Sequence, residues 1–137
     1  MAAQGVSVED SVLVLRDGDK EVRAPVDAVI RCFIASLSHP LHQGDEPFLI
    51  ISFADSLWVI PQFTPGLDAV LHAVAARLPS EKLARAEVSK LPMGWRKRLL
   101  GLFPVFPVPR LGAYSAPKSP LWVTRGSLTA DELKNAI

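Results

Sequence analysis

Residues 47–78, PFLIISFADSLWVIPQFTPGLDAVLHAVAARL, constrain the fold more than any other stretch of the chain. Phe48, Leu49, Ile50, Ile51 and Phe53 form a short run of aromatic and β-branched residues, which suits a buried strand. Ala54, Asp55 and Ser56 have turn chemistry, and Leu57, Trp58, Val59 and Ile60 make a second run of the same kind. A hairpin is the economical reading. Pro61 has no N–H to donate and ends the ladder. Thr64 then offers an N-cap oxygen, Pro65 suits the first helical position, and Asp68 suits the positive end of the helix dipole. Leu67, Val70, Leu71, Val74 and Leu78 follow at helical spacing, and burying five such side chains is worth roughly 7–15 kcal/mol gross.

Upstream, residues 1–9 read as a loose arm and residues 11–16 as a strand. Asp17-Gly18-Asp19 is a hairpin turn, and residues 20–26 form its partner strand. Val29, Ile30, Cys32, Phe33 and Ile34 read as a further strand on their β-branched content, with a helical turn from Val26 as the alternative. Residues 36–46, SLSHPLHQGDE, are polar and carry Pro and Gly, so they read as a loop.

Downstream, residues 81–91 carry a second helical pattern through Leu83, Ala84, Val88 and Leu91. Residues 93–103, MGWRKRLLGLF, form a short basic amphipathic segment. Residues 104–120 hold too many prolines for regular structure and read as extended or polyproline-like. Residues 121–124 suit one more strand, and Thr129-Ala130-Asp131-Glu132 has capping-box spacing ahead of a terminal helix.

Strands followed by one long helix give an α+β class, not an alternating βαβ order. The expected architecture is a small antiparallel sheet or half-open barrel packed by one amphipathic helix, with a helical and Pro-rich C-terminal extension. Residues 1–78 form the expected core and residues 79–137 the extension, packed together as a single domain. The strand through Arg23, Ala24, Pro25 and Val26, then residues 47–61, then a helix opening Thr64-Pro65-Gly66-Leu67 resembles bacterial pleckstrin-homology-like domains over residues 11–78. That resemblance implies a β-meander plugged by a C-terminal helix, and binding of a protein, a peptide or a lipid head group. The chain departs from the pattern in having five legible strands before the helix and in its long Pro-rich tail.

A net charge of +1 makes no general case for nucleic acid. The single cysteine, Cys32, excludes an internal disulfide and suits a reducing compartment, and no leader or membrane-length apolar run is visible. The expected location is the cytoplasm.

His39, His42 and Asp45 put three potential metal ligands in one loop, with no further ligand nearby in sequence to complete a tetrahedral set. A solvated loop with no metal is the expectation. Cys32 sits in an apolar run, where a thiol is inert. No nucleophile elbow and no phosphate-cradling glycine loop is present, so neither catalysis nor a cofactor is expected. If residues 93–103 are helical, Trp95, Leu99, Leu102 and Phe103 share one arc beside Arg96, Lys97 and Arg98. That geometry suits a partner groove or an anionic membrane surface, against a plain packing role. Phe106 and Tyr114 punctuate the Pro-rich tail as further contact candidates. The functional expectation is a non-catalytic cytoplasmic protein-binding module of adaptor, inhibitor or escort type, with weak membrane-surface contact through residues 93–103 as the alternative. Nucleic acid is not an expected partner, and oligomeric state is not legible.

Overall fold

A computed structural model describes residues 4–37, 47–88, 96–98, 105–107, 111–115 and 122–135. Strands β1 (Gln4–Glu9), β2 (Val12–Asp17) and β3 (Lys20–Pro25) form an antiparallel meander. Gly18 takes φ 66 in the β2–β3 turn, the positive φ that a primed hairpin turn needs. The β1–β2 turn places Asp10 and Ser11 at φ 50 and 65, both left-handed, and short polar side chains tolerate that best. Residues 4–9 are therefore a paired strand and not a loose arm. Val6 is buried and Val8 is packed against the core, which is enough apolar surface to hold a strand already registered by its neighbour.

A single 3-10 turn at Val26–Ala28 leads into β4 (Arg31–Leu37), so the segment ambiguous in sequence is a turn followed by a strand. Strands β5 (Phe48–Ser52) and β6 (Ser56–Pro61) form the expected hairpin. Helix α1 (Leu67–Arg77) follows, then a second 3-10 turn at Ser80–Lys82 and β7 (Leu83–Val88). The remaining elements are β8 (Arg96–Arg98), β9 (Val105–Pro107), β10 (Gly112–Ser115), β11 (Trp122–Ser127) and α2 (Ala130–Lys134). Six strands, not five, precede α1. The fold is α+β, and its two larger sheets do not close into a barrel among the described residues.

The six-stranded sheet runs in the order β10-β6-β5-β4-β7-β11. Its pairings are antiparallel except that of β4 with β7, which is parallel, and α1 carries the chain from the end of β6 across to β7. Side chains alternate between the faces of a strand, so each cross-strand row belongs to one layer. The rows Cys32–Ile51–Trp58 and Ile34–Leu49–Ile60 face α1 and the meander. Leu67, Val70, Leu71 and Val74 of α1 meet them there, together with Leu13 and Leu15 of β2. The row Phe33–Ile50–Val59 faces the other way, with Ala35, Phe48, Leu57, Ala86 and Val88, and all of these are buried as well. Central strands buried on both sides explain the continuous apolar runs of the sequence.

Three further sequence expectations, all downstream of α1, need correction. The helical pattern over residues 81–91 is strand β7 over its described part, paired in parallel with β4. Leu83, Ala84 and Val88 fit helical spacing, but in the strand Ala84, Ala86 and Val88 line one face of the sheet at a period of two and Leu83 lies on the other. Residues 96–98 are a strand paired with β9, so the helical arc proposed for 93–103 does not form there. The Pro-rich tail contains β9 and the edge strand β10; Pro107 ends β9 and costs the ladder little at that position. The terminal helix keeps its capping box, with the Glu132 N–H donating to Thr129 Oγ1 at 3.1 Å and the Thr129 N–H to Glu132 Oε1 at 3.1 Å.

The start of α1 differs in detail from its expected capping. Thr64 Oγ1 donates to the Pro61 carbonyl at 2.8 Å instead of capping the helix, and Gly66 at φ 86 is the N-cap. A Cβ on Gly66 would lie 1.8 Å from the Val6 carbonyl oxygen, so this approach of α1 to β1 requires glycine. Gly66→Ala is expected to lower unfolding free energy by about 2 kcal/mol or more, from left-handed strain plus displacement of β1. Urea denaturation of the two proteins measures it, and an unchanged midpoint would contradict the close packing.

Candidate functional site

Pro61 closes β6, and the chain must reverse before α1 can lie back over the sheet. Two bonds to the Pro61 carbonyl make the reversal, one from the Thr64 N–H at 3.1 Å and one from its hydroxyl. The Leu67 N–H bonds to the Thr64 carbonyl at 3.2 Å. On the other side the Val6 N–H donates to the Pro65 carbonyl at 2.9 Å, tying the loop to β1. Val6 faces Leu15 at a position where the two-residue Asp10-Ser11 turn points the β1 amide away from β2. The loop thus occupies the outer edge of β1, which would otherwise be an open template.

Within this tied loop Phe63 is 86% exposed, against 46% for Ile30 and 37% for Val22, the other large exposed apolar residues among the described residues. Leaving a phenylalanine in water forgoes about 1.5–3 kcal/mol of burial. Two residues further on, Pro65 and Gly66 border a shallow depression of about 200 Å³ completed by Gln4, Gly5, Val6, Ser7 and Arg16. Gly5 keeps it open, since a Cβ there would come to 3.1 Å from the Pro65 carbonyl oxygen.

The charge in that lining is already matched. Arg16 Nε bonds Glu21 Oε1 at 2.8 Å, and Arg23 Nε bonds Glu21 Oε2 at 2.9 Å. Glu9 joins the same group through Arg23 at 3.0 Å and Arg16 at 3.9 Å. Two arginines and two glutamates thus form a neutral ring across the outer face of the meander. At the opposite end of α1, Arg77 bonds Asp27 at 3.1 Å and donates to the Ser11 hydroxyl, fastening the helix to the β1–β2 turn. His72 lies on the exposed side of α1, its Nδ1 2.8 Å from the Asp68 carbonyl oxygen, and reads as a local surface contact.

Of the residues singled out in sequence, His39, His42, Asp45, Trp95 and Phe103 lie outside the described residues. Arg96, Lys97 and Arg98 pair by backbone register with Pro107, Phe106 and Val105. Tyr114 is half-buried on β10 and packs against the second apolar layer. Cys32 is fully buried, and desolvation pushes its thiol far above the ordinary range, away from the nucleophilic thiolate. Among the described residues no three His, Cys, Asp or Glu side chains gather into a metal-holding group, and no helix is long and apolar enough to cross a membrane. Phe63 was not singled out in sequence. The available signal was an aromatic isolated between Pro61 and Pro65, in register with neither the strand before it nor the stripe after it.

No protein-family model, curated protein or solved structure matches the chain.

Two solution measurements follow. Cys32 is expected to resist a thiol reagent in the native protein and to react once unfolded; rapid native labelling would contradict its burial. Arg16 and Arg23 hold the Glu21 carboxyl below its ordinary value of 4.5 through direct hydrogen bonds. A lowered carboxylate pKa favours the fold above 4.5 and loses that contribution as pH falls through the folded-state value. Glu21→Gln is therefore expected to be less stable than the parent at neutral pH, with the gap closing in acid. A gap independent of pH would contradict the pairing.

Proposed function

We propose that the chain is a non-catalytic protein-binding module acting in the cytoplasm, and that the loop carrying Phe63 is its principal contact. The observation that carries this reading is an aromatic side chain almost wholly in water on a loop fixed at both ends by backbone hydrogen bonds. Aromatic anchors presented by rigid backbone dominate protein interfaces, because little conformational freedom is lost when they dock. The adjacent depression by β1 extends the contact beyond a single side chain. The resemblance to pleckstrin-homology-like domains points the same way, since that family binds proteins, peptides or lipid head groups. The single buried cysteine suits a reducing compartment.

The test is quantitative recovery of a partner on the tagged chain from its source cells, compared with Phe63→Ala. Phe63 is 86% exposed, so the variant is expected to keep the parent's melting temperature. Recovery of the partner is expected to fall by about tenfold or more, the signature of a lost anchor. Equal recovery by both proteins, or no partner at all, would overturn the reading.

A further inference from the structure

We infer that two copies of this chain pair through the outer edge of β3, antiparallel and in the register that sets Val22 opposite Val22. β3 is the last strand of the meander, and Lys20, Glu21, Val22 and Arg23 are all exposed. Asp17 and Lys20 flank the two-residue β2–β3 turn and so form a hydrogen-bonded pair, and the bonded pairs alternate onward through Leu15–Val22 and Leu13–Ala24. The Val26 N–H, bonded to the Ser11 carbonyl at 2.9 Å, continues the same phase. The main-chain groups of Glu21 and Arg23 therefore point away from β2. Among the described residues no strand lies on that side of β3, and no hydrogen bond reaches those groups. Such an edge is a template for a further strand. Charge selects which strand, and in which register. Centring the pair on Glu21 sets two carboxylates against each other, and centring it on Arg23 sets two guanidinium groups against each other; both are destabilising. Centring on Val22 puts Glu21 opposite Arg23 of the second copy on either side of the two-fold axis, and these are the residues whose N–H and C=O face outward. Each Glu21 oxygen accepts one bond within its own chain and keeps a lone pair for the facing guanidinium. Val22 lies across from the buried Leu15, on the core face of the strand, and is 37% exposed. The pairing brings its two copies side by side and takes them out of water. The contact is self-complementary, so it closes at two copies.

The test is disulfide trapping in the full chain, joined to sedimentation equilibrium. Val22→Cys places a thiol opposite its own copy at a non-hydrogen-bonded pair, where Cβ atoms lie about 4.5–5.5 Å apart. Lys20→Cys, equally exposed, has Ala24 opposite it and cannot reach its own copy; Cys32 is buried and takes no part. Mild oxidation is expected to give about tenfold or more covalent dimer with Val22→Cys than with Lys20→Cys. Between about 1 μM and about 1 mM, the parent's average mass is expected to rise above that of one chain. Glu21→Arg is expected to weaken that association by about tenfold, and Glu21→Arg with Arg23→Glu to restore it. Phe63→Ala is expected to associate as the parent does, which separates this pairing from the binding role proposed above. A parent that stays a single chain throughout, or equal trapping of the two cysteines, would overturn the pairing. Glu21→Arg associating as strongly as the parent would overturn the register.

Discussion

The architecture depends on strands β4, β5 and β6 being apolar on both faces. Leu49 and Ile51 point to one side of β5, Phe48 and Ile50 to the other, and all are buried. A sheet of this kind cannot leave either face in water, and one layer of cover is supplied by α1 together with the inner face of the meander. Trp58, in tilted contact with Phe53 at 5.1 Å between ring centres, is the largest side chain in that layer. The crossover through α1 then brings β7 alongside β4 in parallel, where a hairpin could not.

Placement of the helix fixes the candidate site. For α1 to reach both the sheet and the meander, its first residues must pass close to β1, and Gly66 permits the approach while the Val6 N–H takes the Pro65 carbonyl. That junction protects an edge strand and fills the helix stripe against the core. It leaves Phe63 outside, because the reversal between Pro61 and Thr64 turns the intervening residues away from both layers. The neutral ring of Glu9, Arg16, Glu21 and Arg23 keeps the neighbouring face of the meander polar. The exposed aromatic is thus a consequence of how the helix is joined to the sheet.

What was legible in the sequence was local. The β2–β3 turn at Gly18, the β5–β6 hairpin, the α1 stripe and the Thr129 capping box each depend on residues close in the chain, and each forms where the pattern places it. What was illegible depended on distant partners. Strand β1 has only Val6 and Val8 to announce it and owes its form to registration on β2. Strand β7 is built largely of alanines and charged residues, a composition that favours a helix, and it is a strand because β4 lies beside it. The cap of α1 moved from Thr64 to Gly66 because a strand sixty residues away in the chain passes at that point. Phe63 went unnoticed for the same reason, since exposure is set by the packing of everything around it.

The Phe63 loop is held outward by its junction with β1. Amide hydrogen exchange at Val6 tests it most directly, because that N–H leaves the meander and is bonded to Pro65. Protection at Val6 is expected to be comparable to that of amides bonded within the meander. Exchange at Val6 as fast as that of an unstructured amide would mean that the junction is open and that Phe63 is not presented on a fixed loop.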